Sequence, residues 1–266
     1  MKKLSVIAMV AMTALASTSC ISFDEDEIPG TPEEYGYIKL SASADDVMVT
    51  RGEQTADLSK WYATVKKGET VVYGSDTKKA LISSELEQKK LIPGEDYTVS
   101  VANYADNEEW VKANNNYGDA YYEGEITSVK VEAGKQTQVS IPCGRAKNAK
   151  FVVNASDFAG EELEVKVTNS RELTFSKADG TIGNEAFFTA GDKLKYEITY
   201  SIGAQKNKKI ENKELQLGEA ATVSTLTISS DQNGTIKVTI TYDDTFDTGK
   251  NEEIEIDSAT GDEKQD

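Results

Sequence analysis

The sequence predicts an all-β protein built from two tandem antiparallel β-sandwiches. Three observations carry that expectation: strict alternation of apolar and polar residues, glycine turns between the alternating runs, and an echo between the two halves of the chain. Leu163, Val165 and Val167 alternate with Glu164, Lys166 and Thr168. Leu194, Tyr196, Ile198, Tyr200 and Ile202 alternate with Lys195, Glu197, Thr199 and Ser201, and Ile236, Val238, Ile240 and Tyr242 follow the same rule. In the first half, Tyr97, Val99 and Val101 do so with Thr98 and Ser100. A side-chain period of two places one set on a buried face and the other in solvent. Val, Ile, Thr and Tyr suit a pleated surface.

Gly-containing turns separate these runs, among them Lys67-Gly68, Pro93-Gly94, Ala133-Gly134, Asp179-Gly180, Ala190-Gly191 and Asn233-Gly234. The stretch from Ser83 to Lys90 reads as the one short helix. Pro93-Gly94 feeds a Tyr/Val strand, and Ala190-Gly191 does the same in the second half. Ala133-Gly134, leading to Val139, parallels Leu217-Gly218, leading to Val223. Each half opens with a strand, near Tyr37 to Ser41 and Ala149 to Asn154. Halves of about 100 residues are the size that two packed sheets need. The expected domains are therefore residues 35–144 and 145–257, each immunoglobulin-like or transthyretin-like, with a polar tail over 258–266.

The N-terminus predicts export. Lys2 and Lys3 precede an uncharged stretch from Leu4 to Ala16, then Ser17-Thr18-Ser19 and Cys20. This is the three-part layout of a secretory signal. Its apolar part is about 13 residues, short of the roughly 20 that span a bilayer. A cysteine at the expected cleavage point resembles a bacterial lipoprotein signal. Such signals usually carry Leu three places before the cysteine, where Ser17 stands here. Residues 1–19 are read as the signal peptide, and Cys20 as the lipidated first residue. Each buried methylene contributes about 0.8 kcal/mol, so several acyl chains anchor stably. The partner implied is thus a membrane, reached through the lipid.

Residues 20–34 read as an acidic tether, because Asp24, Glu25, Asp26 and Glu27 crowd like charge into a segment with few apolar residues. The run is a spacer or, by resemblance to Bacteroidetes lipoproteins, a signal that directs the protein to the cell surface. The second cysteine, Cys143, follows Thr137, Val139 and Ile141 at strand spacing. It is expected to be a buried apolar side chain rather than a reactive thiol.

Composition narrows the chemistry. The chain has no histidine, which removes Ser-His-Asp and Cys-His nucleophile systems and histidine zinc sites. Loss of Lys2 and Lys3 with residues 1–19 leaves 27 basic against 46 acidic residues, a net charge of −19. That balance disfavours nucleic acid and anionic lipid surfaces as partners. No enzyme motif stands out, no cofactor is implied, and no metal site is expected. Asp243-Asp244 with Asp247, and Asp45-Asp46, lack the spacing of an ordered calcium loop.

Three further elements carry a family resemblance. They are Tyr35-Gly36-Tyr37-Ile38-Lys39-Leu40, Tyr121-Tyr122-Glu123-Gly124, and Ile141-Pro142-Cys143 followed by Ala146-Lys147-Asn148-Ala149-Lys150. In this order, after such a signal, the chain resembles the DUF4493 lipoproteins of Bacteroides and relatives. The resemblance implies fold and cell-surface address and assigns no biochemical activity. A looser architectural resemblance to fimbrillin-like lipoproteins implies assembly into pili by strand exchange. It draws attention to Val47-Met48-Val49-Thr50-Arg51-Gly52. Arg51 is either an ordinary loop residue or the point where an arginine-specific protease cuts and releases the first strand.

Two smaller expectations remain. The link from Ala105 to Tyr122 holds Trp110 and Tyr117 beside Asn114-Asn115-Asn116. Exposed aromatics among amides could stack on sugar rings, so Trp110 and Tyr117 are candidate glycan contacts. Asp257-Ser258-Ala259 resembles a short acceptor motif for O-glycans, which makes Ser258 a candidate modification site. The expected role is a non-catalytic adhesion or interaction scaffold, with a pilus subunit and a glycan-binding lipoprotein as alternatives.

Overall fold

The computed structural model describes residues 34–45, 53–55, 58–231, 235–243 and 251–254. The chain folds as two tandem β-sandwiches, each with its own core. In the first, one sheet contains β1 (Tyr37–Asp45), β2 (Glu53–Thr55) and β8 (Gln136–Gly144), ordered β2-β1-β8. The facing sheet has β3 (Tyr62–Lys67), β4 (Thr70–Tyr73), β5 (Ala80–Leu81), β6 (Asp96–Ala102) and β7 (Glu123–Lys130), ordered β4-β3-β6-β7, with β5 also paired to β3. Ile38, Val65, Val99, Val101 and Ile141 are fully buried between the sheets. They are the inward members of the alternating runs.

The second sandwich repeats the plan. One sheet holds β9 (Asn148–Asn154), β12 (Glu185–Thr189), β15 (Val223–Ser230), β16 (Ile236–Asp243) and β17 (Asn251–Ile254), ordered β12-β9-β15-β16-β17. The other holds β10 (Glu162–Thr168), β11 (Glu172–Ser176), β13 (Lys193–Ile202) and β14 (Gln205–Gln216), ordered β11-β10-β13-β14. Its mainly aliphatic core includes a group of phenylalanines. Phe151 meets Phe175 edge-on at 5.7 Å and Phe188 at 6.3 Å between ring centroids. Such pairings add to the burial of large apolar area.

The echo between the halves is topological. β6 follows Pro93-Gly94 and lies between β3 and β7, as β13 follows Ala190-Gly191 and lies between β10 and β14. β8, after Ala133-Gly134, pairs with the opening strand β1, just as β15 pairs with the opening strand β9. Both of those pairings are parallel, whereas the remaining ladders are antiparallel. Alternation could not reveal this, because parallel and antiparallel strands share the same side-chain period.

The halves also differ. The second sandwich places β16 and β17 beyond β15. And β13 turns into β14 through Gly203-Ala204 alone, with Gly203 at φ 54°, whereas β6 reaches β7 only after residues 103–122. That insertion contains α2 (Asn107–Lys112), following the single turn α1 (Ser84–Glu87). The helix expected over Ser83 to Lys90 is thus one turn long, with the Ser83 hydroxyl accepting from the Glu85 amide.

Candidate functional site

The insertion between β6 and β7 is where sequence expectation and structure diverge most. Asp106 starts α2. Its carboxylate accepts from the amides of Glu108 at 2.9 Å and Glu109 at 3.0 Å, two donors that a helix start otherwise leaves unpaired. Glu108 and Glu109 in the first turn and Lys112 in the last complement the helix dipole. The helix turns Trp110 inward, where it is only 4% exposed. Its ring lies nearly parallel to Tyr121, with centroids 6.4 Å apart, in a small cluster with Ala102 and Phe187. Phe187 belongs to the second sandwich, so this cluster joins the two domains.

After α2 the chain makes an unusual reversal. Asn114, Asn115 and Asn116 take φ of 50°, 57° and 70° in succession. Asparagine tolerates the left-handed region better than other side chains that carry a Cβ. The triplet therefore serves as a backbone device. Gly118 follows at φ 82°, and a Cβ there would stand 3.0 Å from the Phe187 carbonyl. The reversal turns main-chain carbonyls outward, toward the second domain.

Arg171 collects those carbonyls. Its guanidinium donates to Val111 at 2.5 Å and Asn116 at 2.6 Å, to Tyr117 at 3.4 Å, and to the Phe187 carbonyl of its own domain. It also stacks over the Phe188 ring, 4.7 Å from the centroid. A planar fork with five donors suits this task, and a lysine's point charge does not. Burial pushes the Arg171 pKa down while the Asp192 carboxylate opposes the shift. With so high an ordinary value the group stays cationic.

Tyr117 locks the same joint. Its hydroxyl donates to the Thr174 carbonyl, and its ring meets Phe175 edge-on at 5.3 Å. Its carbonyl accepts from the Phe187 amide at 2.7 Å, which occupies a donor on the outer edge of β12. Asn148, 2% exposed, completes the seam. Its side chain donates to the Asp119 carbonyl at 2.7 Å and accepts from the Tyr121 amide at 3.1 Å. The Lys147 amide donates to the Tyr121 carbonyl at 2.7 Å. Burial raises the phenol pKa values of Tyr104 and Tyr121, with the Asp119 and Glu123 carboxylates adding to it. Both phenols therefore stay protonated as hydrogen-bond donors well into the alkaline range.

The expected glycan contacts Trp110 and Tyr117 read from the sequence as exposed aromatics, and the fold places Trp110 inside instead, at 4% exposure, with Tyr117 half-buried. The two rings lie in different clusters: Trp110 is buried with Tyr121 and Phe187, and Tyr117 packs half-buried against Phe175. A large aromatic in an irregular link gains more from burial than from exposure. Arg171, Asn148 and Phe187 were missed because their partners are main-chain atoms far away in sequence. The spacing Asp106-x-x-Glu109 was a usable signal for α2.

Cys143 is buried, and burial raises its thiol pKa to about 11, which keeps it protonated and inert. Cys20, Asp24, Glu25, Asp26, Glu27, Arg51 and Ser258 lie outside the described residues. Among the described residues no group of three or more His, Cys, Asp or Glu side chains could hold a metal ion. No helix among them is long and apolar enough to cross a membrane.

Fold and joint define a tandem β-sandwich protein whose domains are fastened by an insertion from the first. The chain belongs to the family described as domain of unknown function DUF4493, which matches residues 34–258. No curated protein matches the sequence. Among solved structures, the chain is similar to a candidate cell adhesion protein from Bacteroides ovatus, at 10% identity and a TM-score of 0.44, covering 79% of this chain and 96% of that one. It is also similar to a fimbrial assembly protein from Parabacteroides distasonis, at 11% identity and a TM-score of 0.40, covering 77% and 97%. A third is the tip fimbrial protein Mfa3 from Porphyromonas gingivalis, at 10% identity and a TM-score of 0.38, covering 79% and 99%.

Proposed function

We propose that the protein is a lipid-anchored cell-surface scaffold that presents two rigidly joined sandwiches for adhesion or interaction, without catalysis. The observation that carries this reading is the joint at Arg171, Tyr117 and Trp110. It spends the most aromatic link of the chain on holding the two domains in one arrangement. Separate domains joined by a short linker move relative to each other by default, so a built joint points to a role in which orientation matters. The signal layout ending at Cys20 and the acidic run at Asp24 to Glu27 support attachment to the outer membrane or cell surface. The partners implied are other surface proteins or glycans.

A second reading, a fimbrillin-like pilus subunit or accessory protein, is favoured by one feature. β1 lies between β2 and β8, and its Ile38, Leu40 and Ala42 face the core. A cut after Arg51 would free this central strand, and a neighbour's strand could fill the slot by main-chain pairing. One experiment separates the readings. Mass spectrometry of the mature protein from cells is expected to find an acylated Cys20 at the N-terminus. A start at Gly52 would favour the pilus reading, and an unmodified Cys20 would defeat the lipid anchor.

A further inference from the structure

The outer face of the β4-β3-β6-β7 sheet carries a polar pocket that neither the joint nor the core explains. Ala63, Val65, Val99 and Val101 point into the core, so Thr64, Lys66, Thr98 and Ser100 point outward. Register sets Thr64 opposite Ser100, Ser100 opposite Glu125, and Lys66 opposite Thr98. Oxygen-bearing side chains therefore stand in a row across three strands, about 4.8 Å apart by strand spacing. An outward sheet face is normally open to water, but Thr64 is only 5% exposed.

The cover is the loop from Gly74 to Lys79. Gly74 sits at φ 82°, and a Cβ there would be 3.0 Å from both the Ala63 carbonyl and the Thr64 hydroxyl. Only glycine lets the chain pass so close to the sheet. The loop is then fastened on three sides. Lys66 pairs with Asp76 at 3.2 Å, Lys79 pairs with Glu123 at 2.6 Å, and Lys78 pairs with Glu109 of α2. The Lys79 amide also donates to the Ala105 carbonyl at 3.1 Å. Between roof and sheet lies a cavity of about 280 Å³.

The lining selects a chemistry. The ammonium groups are engaged by carboxylates, so the pocket has no surplus of positive charge to draw an anion. Hydroxyls of Thr64, Thr98 and Ser100, with the Glu125 carboxylate, offer donors and acceptors side by side. The volume lies just below the range of small-molecule pockets, which run from about 300 to 1,000 Å³, and so suits a single small unit. We propose that this pocket binds one hydroxyl-rich unit, a sugar residue, held by hydrogen bonds to the Thr64-Thr98-Ser100-Glu125 face under the Gly74–Lys79 roof. This rests on the surface-scaffold reading only for where the sugar is met.

Saturation-transfer NMR of the full mature chain with a panel of free hexoses and N-acetylhexosamines tests the proposal. Transfer to at least one sugar is expected. The double variant Thr98→Val/Ser100→Val, and separately Glu125→Gln, should weaken the titrated affinity at least tenfold. Their melting temperatures should stay unchanged, since all three side chains point away from the core. If the double variant melts early, the exposed Glu125→Gln alone decides. Absence of transfer to every sugar in the panel, or transfer equal in wild type and variants, overturns the proposal. Either result would leave the surface reading standing, because protease treatment of intact cells tests it independently.

Discussion

Replacing Arg171 with alanine is expected to split one cooperative unfolding transition into two. The guanidinium reaches across the seam to the Val111, Asn116 and Tyr117 carbonyls at once. The Tyr117 carbonyl keeps the Phe187 amide as a donor and the Asn116 carbonyl is exposed, so the loss falls mainly on the Val111 carbonyl; a buried carbonyl left without a donor costs about 1–3 kcal/mol. Arg171 is part-exposed, so water replaces some of these bonds, and a net loss of about 2 kcal/mol is expected. For a chain of this size that corresponds to a fall of roughly 4–8 °C in the first melting temperature. Calorimetry should then resolve the two sandwiches as separate units, since each has its own core. Arg171→Lys should not rescue the joint, because a point charge on a flexible stem cannot serve diverging carbonyls together. A single unshifted transition in Arg171→Ala would mean that the seam does not couple the domains.

The second large effect belongs to Trp110. Truncation to alanine is expected to cost about 3–5 kcal/mol, the range for large aromatics removed from a packed interior. The lost contacts are the stack on Tyr121 and the packing against Ala102 and Phe187. Trp110→Phe should recover part of the loss. Denaturant unfolding followed by circular dichroism measures both. If Trp110→Ala left stability unchanged, the ring would not be anchored in the seam, and the sugar-stacking role expected from sequence would regain force.

These two residues also mark the limit of what the sequence made legible. The alternating runs at Leu163 to Thr168 and Leu194 to Ile202 fall on β10 and β13, because a half-buried strand writes its period directly into the chain. The paired Gly turns located equivalent strands in both sandwiches for the same local reason. The joint left no such trace. Arg171 acts on main-chain oxygens about 55 to 60 positions away, and no pattern of side chains encodes which carbonyls a reversed backbone will present. Trp110 among three asparagines read as an exposed loop because amides and aromatics suggest sugar contacts. In the fold the asparagines serve the left-handed turn that presents those carbonyls. The polar pocket was hidden for a related reason. Thr98 and Ser100 read correctly as the outward members of β6, but nothing local says that the Gly74–Lys79 loop returns to cover them.

The proposed surface location is tested most directly by brief protease treatment of intact cells, followed by identification of the released peptides. The account predicts peptides from the two sandwiches in the released fraction, with the acylated Cys20 segment retained on the cells. Recovery of those peptides only after lysis, with none released from intact cells, would contradict a surface scaffold.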